Sequence, residues 1–244
     1  MSDLIYPDWP APVNVRAVIT TRRGGVSQAP YAGLNLGLHV GDDPVRVARN
    51  RALLKQQARL PSDPLWLQQI HGCQVAECSS ETLPATADAA TTVEPGRVCA
   101  VMTADCLPLL ICNRSGTRVA AVHAGWRGLA AGVIEATLAR FEEPDDELLV
   151  WLGPAIGPLS FEVGEDVRDA FLSVDSMAEP GFKPGRSGRW LADLYFLARR
   201  RLALPQVVYI GGGDYCTMSE SDRFFSYRRD GTTGRMASLI WLVE

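Results

Sequence analysis

The 244-residue sequence predicts a mixed α+β domain, a single unit in which mixed β-sheets are flanked by helices. Three observations predict it. Apolar runs of strand length outnumber stretches with helical spacing, and several are joined by turns too short to hold a helix, which argues against regular βαβ winding. Four stretches carry apolar residues at helical spacing. No internal repeat, low-complexity tract or linker divides residues 1–244, and a chain of this length buries an ample single core.

The elements follow in order. Val15–Thr20 reads as the first strand. Thr21-Arg22-Arg23-Gly24-Gly25 follows, either a turn whose amides suit an anion beside Arg22 or a plain turn with a solvated arginine. Tyr31–Gly41 is a glycine-rich loop in which Asn35 is a candidate substrate contact and His39 a loop histidine. Asp43 and Pro44 make the N-cap and first residue of a helix striped by Val47, Asn50/Arg51, Leu54 and Ala58. Leu65–His71 and Gln74–Cys78 read as strands around Gly72. Leu83–Glu94 is polar and Ala/Thr-rich, with Asp88 as a capping or turn aspartate. Val98–Thr103, Leu109–Cys112 and Thr117–His123 are strands, the last two joined by the turn residues Asn113–Gly116. A helix spans Leu129–Phe141, which puts Trp126-Arg127-Gly128 at its N-terminus, where free N–H groups and the dipole favour an anion beside Arg127. Glu147–Leu152 is a strand that enters a Gly/Pro loop. A third helix covers Val167–Val174, Met177–Gly188 reads as a mobile loop, and a fourth helix covers Leu191–Leu202. Gln206–Ile210, Phe224–Tyr227 and Met236–Leu242 are the last strands.

Composition excludes several classes of function. A formal net charge of −4 with no basic tail gives no footprint for nucleic acid. No run approaches the length of a membrane span, and the N-terminus has no basic-then-apolar signal, so a cytoplasmic protein with no membrane partner is expected. Six cysteines at irregular spacing, with no CxxC, read as reduced thiols and not as a disulfide framework.

Chemistry concentrates in three residues. If the turn Asn113–Gly116 closes an antiparallel hairpin, Cys112 faces Thr117 and Cys106 falls opposite His123, within reach of a shared metal ion or of a thiolate–imidazole pair. Pro108 threatens that register because it cannot donate to a ladder. His71 ends an apolar run beside Gly72. A thiolate with two imidazoles is a soft-to-borderline donor set, and three protein ligands with an open fourth position are the pattern of catalytic zinc. The plainer alternatives are a core cysteine and structural histidines. Trp126 offers a ring face to a planar ligand, or packs in the core. Asp105, next to Cys106, is a candidate acid or base only if the strand twists there.

The same residues carry a resemblance. Gln68–Gly72 (QQIHG), Thr103–Leu110 (TADCLPLL) and Ala120–Val133 (AAVHAGWRGLAAGV) resemble the signature blocks of the YfiH-type family, also called laccase-domain, polyphenol-oxidase-like or peptidoglycan editing factor. Thr20–Ser27, Tyr31–Pro44, Trp151–Pro158 and Phe224–Leu242 extend the likeness, in order, over nearly the whole chain. The resemblance implies a fold like that family and the cytotoxic necrotizing factors. It implies one zinc held by His71, Cys106 and His123, with copper able to bind in vitro, and it turns Arg22 towards the site. It implies a small-molecule substrate and two activity classes. One is purine nucleoside phosphorylase, a transferase acting on adenosine, inosine, guanosine and methylthioadenosine, with adenosine deaminase activity. The other is a hydrolase that removes a wrong first amino acid from UDP-linked muramic acid in peptidoglycan editing. Without a metal, Cys106 and His123 would make a cysteine hydrolase; with a closed site, the protein would be a non-catalytic zinc module. The laccase name meets a direct obstacle, since three histidines cannot furnish a multicopper site. Neither the residues nor the resemblance gives the oligomeric state.

Overall fold

A computed structural model describes residues 3–79, 85–141, 147–186 and 188–244. Strands alternate their side chains between two faces, and here both faces are covered. One sheet has the order β1 (Val15–Ile19), β13 (Met236–Leu242), β5 (Val98–Thr103) and β2 (Leu65–Trp66), antiparallel except for β2 beside β5. The second has the order β12 (Val207–Gly212), β8 (Leu148–Leu152), β6 (Leu107–Asn113), β7 (Val119–Ala124), β4 (Ala89–Thr92) and β3 (Val75–Glu77), parallel only in its two outer pairs. A small third sheet joins β10 (Phe182–Pro184), β11 (Trp190–Ala192) and β9 (Glu162–Val163).

The alternation sorts the core into layers. From β6, Leu110 and Cys112 enter the layer between the two large sheets, together with Cys99, Val101 and Ile240. Leu107, Leu109 and Ile111 face the other way, onto α2 (Trp126–Ala131), α3 (Val133–Leu138), α4 (Glu165–Leu172) and α5 (Leu194–Arg201). The outer face of the four-stranded sheet packs Ala100, Leu239 and Trp241 against Leu54 of α1 (Pro44–Gln57). The order is therefore helices, sheet, sheet, helix, the mixed α+β architecture expected. Among the described residues no helix is long and apolar enough to cross a membrane, and all six cysteines are free thiols.

Several expectations need correction. The β6–β7 hairpin pairs Cys112 with Val119 and Pro108 with His123, so the register is two residues away from the one that put Cys106 opposite His123. The turn is longer because Asn113 Oδ1 accepts the amides of Thr117 and Arg118 and holds them out of the ladder. Pro108 is tolerated because it sits at the end of the β8 pairing and needs only its carbonyl, which accepts from Gly153 N. Leu65–His71 forms strand only at Leu65–Trp66, leaving His71 in a loop at φ +62°. Within Leu83–Glu94, residues 83 and 84 lie outside the described residues, and Ala89–Thr92 is a fully buried strand, because it fills the slot between β3 and β7. The expected helix Leu129–Phe141 is two short ones, broken where Gly132 takes φ +101°. Met177–Gly188 holds a 3-10 turn and β10, with residue 187 outside the described residues. Leu191 belongs to β11, and α5 starts after the Asp193 cap. Phe224–Tyr227 is not a strand: Ser226 accepts from Arg229 N and caps α6 (Tyr227–Asp230).

Candidate metal centre

His71, Cys106 and His123 come together, with one ligand atom from each inside a 4.8 Å spread. Cys106 Sγ lies 3.9 Å from His71 Nε2, and the two imidazole centroids are 4.8 Å apart. A tetrahedral zinc with bonds of about 2.0–2.3 Å separates its ligand atoms by about 3.3–3.6 Å, so the set closes on the ion with a shift of about 1 Å at its widest. Gly125 is a second measure of the convergence. A Cβ built on it would stand 2.7 Å from His71 Cδ2, 3.2 Å from Cys106 Sγ and 3.5 Å from His123 Cε1. Its φ of −61° is open to any residue, so what requires glycine is the closeness of His71 and Cys106.

Asp88 organises the histidines from behind. It is fully buried. Its Oδ1 accepts from His71 N at 2.9 Å and meets His123 Nδ1 at 2.8 Å. Its Oδ2 accepts from Gly72 N at 2.6 Å and Ile70 N at 3.3 Å. Its carbonyl accepts from His123 N. With Nδ1 taken, His123 presents Nε2 to an ion, the usual carboxylate–histidine arrangement behind a metal. Gln69 ties the same loop to β5 through Met102 N and O, each at 2.8 Å, and the carbonyl of Gly72 packs where a Cβ on Gly128 of α2 would sit.

Burial opposes charge at the centre, and the neighbours overcome it. Burial raises the Cys106 thiol, but His123 and His71 draw it down to about 6. Burial lowers His123, but the Cys106 thiolate and Asp88 push it up to about 9. Both shifts describe one thiolate–imidazolium pair, whose proton a metal ion would displace. Asp88, despite its burial, is held below the usual carboxylate range by His123 and the amides of Gly72 and His71.

The remaining candidates fall in different places. Trp126 is half-buried and lines a pocket of about 130 Å³ with Cys106, Phe161, Leu194, Tyr227 and Arg228. Asp105 also lines it, at φ +91°, so the chain does twist there. Its carboxylate is engaged on both sides, Oδ1 accepting from Thr217 Oγ1 and Oδ2 from Arg228 N, each at 2.6 Å, which makes it a positioning group for α6. Asn35 is fully buried, and its amide is bonded to Gly37, Asp42 and Arg235 N, contacts that anchor its loop. Arg22 donates to Ser221 O and lies over Phe225, away from this pocket; burial and then Arg229 lower its pKa. Arg127 is exposed and stacks on Trp126 at 4.4 Å, and the helix it opens is only six residues long, too short to carry the dipole argument made for it. Sequence reasoning marked Asp88 only as a capping or turn aspartate, and did not find the structural parts played by Gly125 and Arg228.

The family described as multi-copper polyphenol oxidoreductase laccase matches residues 16–243. Among curated relatives, "Purine nucleoside phosphorylase PA4543" of Pseudomonas aeruginosa is 56% identical over 245 residues, covering all of both chains. "Purine nucleoside phosphorylase YfiH" of Escherichia coli K12 is 55% identical over 244 residues, also covering both in full. Among solved structures, the Neisseria meningitidis protein NMB0706 is 52% identical, covers 99% of each chain and superposes with a TM-score of 0.92.

Proposed function

Since the chain belongs to the family described as multi-copper polyphenol oxidoreductase laccase, we propose that it is a zinc-dependent purine nucleoside phosphorylase of the cytoplasm. The observation that carries this reading is the His71, Cys106 and His123 cluster with Asp88 behind it and an aromatic pocket in front. The relatives' names supply the substrate class. The donor set favours zinc, and three imidazoles in the whole chain are too few for a multicopper oxidase. The free thiols suit a reducing compartment.

When bound, zinc would supply Lewis acidity at the floor of the pocket. Cys106 and the two imidazoles would hold it, with Asp88 fixing the His123 tautomer. Trp126 and Phe161 would flank a purine ring. In phosphorolysis a phosphate oxygen bonds to the sugar C1′ as the bond to the purine nitrogen breaks, and the electron pair leaves with the base. Arg228, at the mouth, would face the incoming anion. Deamination of adenosine, with water adding at C6, is proposed as a second activity of the same pocket.

One observation favours a second reading. Cys106, His123 and Asp88 stand in the order of a nucleophile, its base and the group that orients the base, with the thiol already drawn down to about 6. A cysteine hydrolase needs that thiol free of metal. Metal content of wild type beside Cys106→Ala, with adenosine and phosphate turnover on the same samples, separates the readings. One zinc per chain, lost together with purine release in the variant, is expected. Zinc without purine turnover redirects the substrate to the muramic acid precursor, and thiol-dependent activity without metal replaces the zinc reading.

A further inference from the structure

We propose that Arg228 and the cavity beyond it form a phosphoryl-binding subsite of the metal centre, an inference that rests on the phosphorylase reading. Two cavities meet at this residue. The inner one, about 130 Å³, reaches Cys106, Trp126 and Phe161. The outer one, about 590 Å³, is lined by Ser160, Glu162, Arg186, Leu191 and Met218 among others. Arg228 lines both. Alternation along residues 160–162 makes the division, with Phe161 facing inward and Ser160 and Glu162 outward.

The guanidinium is held at that threshold. Nη1 donates to Glu162 O at 2.7 Å, and the group lies 5.3 Å from the centre of the Phe161 ring. Its backbone N–H is pinned by Asp105 Oδ2 at 2.6 Å. These contacts occupy one nitrogen of the fork, and Nε and Nη2 have no hydrogen-bond partner among the described residues.

Size and charge indicate what passes. Pockets that enclose organic ligands run to about 300–1,000 Å³, so the inner cavity alone is too small for a nucleoside with its phosphate. The ligand must extend past Arg228. There the outer cavity sets two guanidiniums, Arg228 and Arg186, against one carboxylate, Glu162. The Arg186 guanidinium has no hydrogen-bond or ion-pair partner among the described residues. Forked N–H donors match a tetrahedral oxyanion better than any neutral group. The phosphoryl group has two sources, free inorganic phosphate as co-substrate or a phosphate carried on a nucleotide.

The test uses zinc-loaded wild type and Arg228→Gln, which removes the charge and keeps a polar side chain, with Arg114→Ala as a charge control at the far end of the β6–β7 hairpin. Steady-state kinetics vary phosphate and adenosine separately, and calorimetry compares adenosine with adenosine 5′-monophosphate. If free phosphate is the ligand, its KM rises about tenfold or more in Arg228→Gln while the KM for adenosine holds. If the phosphate is substrate-borne, the monophosphate binds wild type about tenfold tighter than adenosine, and Arg228→Gln erases the difference. Phosphate KM and monophosphate affinity both within about twofold of wild type overturn the subsite. Absence of adenosine phosphorolysis by wild type defeats the parent reading instead, and the calorimetric arm still decides the subsite.

Discussion

Four N–H groups converge on the single carboxylate of Asp88, three from the backbone of residues 70–72 and one from His123. An amide in its place offers one acceptor oxygen and turns an NH₂ towards donors. Asp88→Asn is therefore expected to weaken zinc binding by about 10–100-fold, measured by competition with a chelator. Affinity unchanged in a folded variant would show that the ligands hold themselves. Charge at the centre sets a pH window in the metal-free protein. The thiolate's stabilisation is lost as pH falls through about 6, and the imidazolium's as pH rises through about 9, so the pair exists between them. Alkylation of Cys106, followed by mass spectrometry, should rise with a midpoint near pH 6; a midpoint near the ordinary thiol value of about 8.5 would mean that no pair forms.

At the scale of elements, two glycines bound α2 for different reasons. Gly125 stands where a side chain would strike His71 and crowd Cys106, while Gly132 takes φ +101° to end the helix and has no atom closer than 3.5 Å to an added Cβ. Gly125→Ala should abolish zinc retention and leave the metal-free protein melting where the metal-free wild type does. Gly132→Ala should keep zinc and lose about 1–2 kcal/mol, roughly 2–8 °C in Tm, through backbone strain. Zinc analysis with thermal melts of both variants checks the pair; identical behaviour would refute the division of labour. The helix boundary at Gly132 was hidden because Leu129, Val133 and Ala136 keep helical spacing across it. The α1 cap was legible because Asp43 and Pro44 act within one turn.

Across the whole molecule, two of the three ligands sit where the chain crosses between the large sheets and the third lies on a strand of the six-stranded sheet. His71 lies between β2 and β3, Cys106 between β5 and β6, and His123 near the end of β7, so sheet stacking sets their spacing. The layer between the sheets should dominate stability. Leu110→Ala, at a fully buried position in it, is expected to cost about 2–5 kcal/mol by chemical denaturation. Leu38→Ala, at a half-exposed position, should stay within about 0.5 kcal/mol. Equal costs would mean that the inter-sheet layer is not the core.

The apolar runs of β5 and β13, the Asp43 cap and the donor chemistry of His71, Cys106 and His123 were determined by the sequence alone, because each depends on residue type and on neighbours a few positions away. The hairpin register was decided by Asn113 holding two amides out of the ladder, and the convergence of the three ligands by two sheet crossings and the buried Asp88. The burial of Asn35 and the arrival of Arg228 at the pocket were likewise tertiary outcomes. Contacts between positions tens to hundreds of residues apart leave no periodic trace along a chain. They arise only when buried polar groups must find partners and packed layers bring those partners within reach.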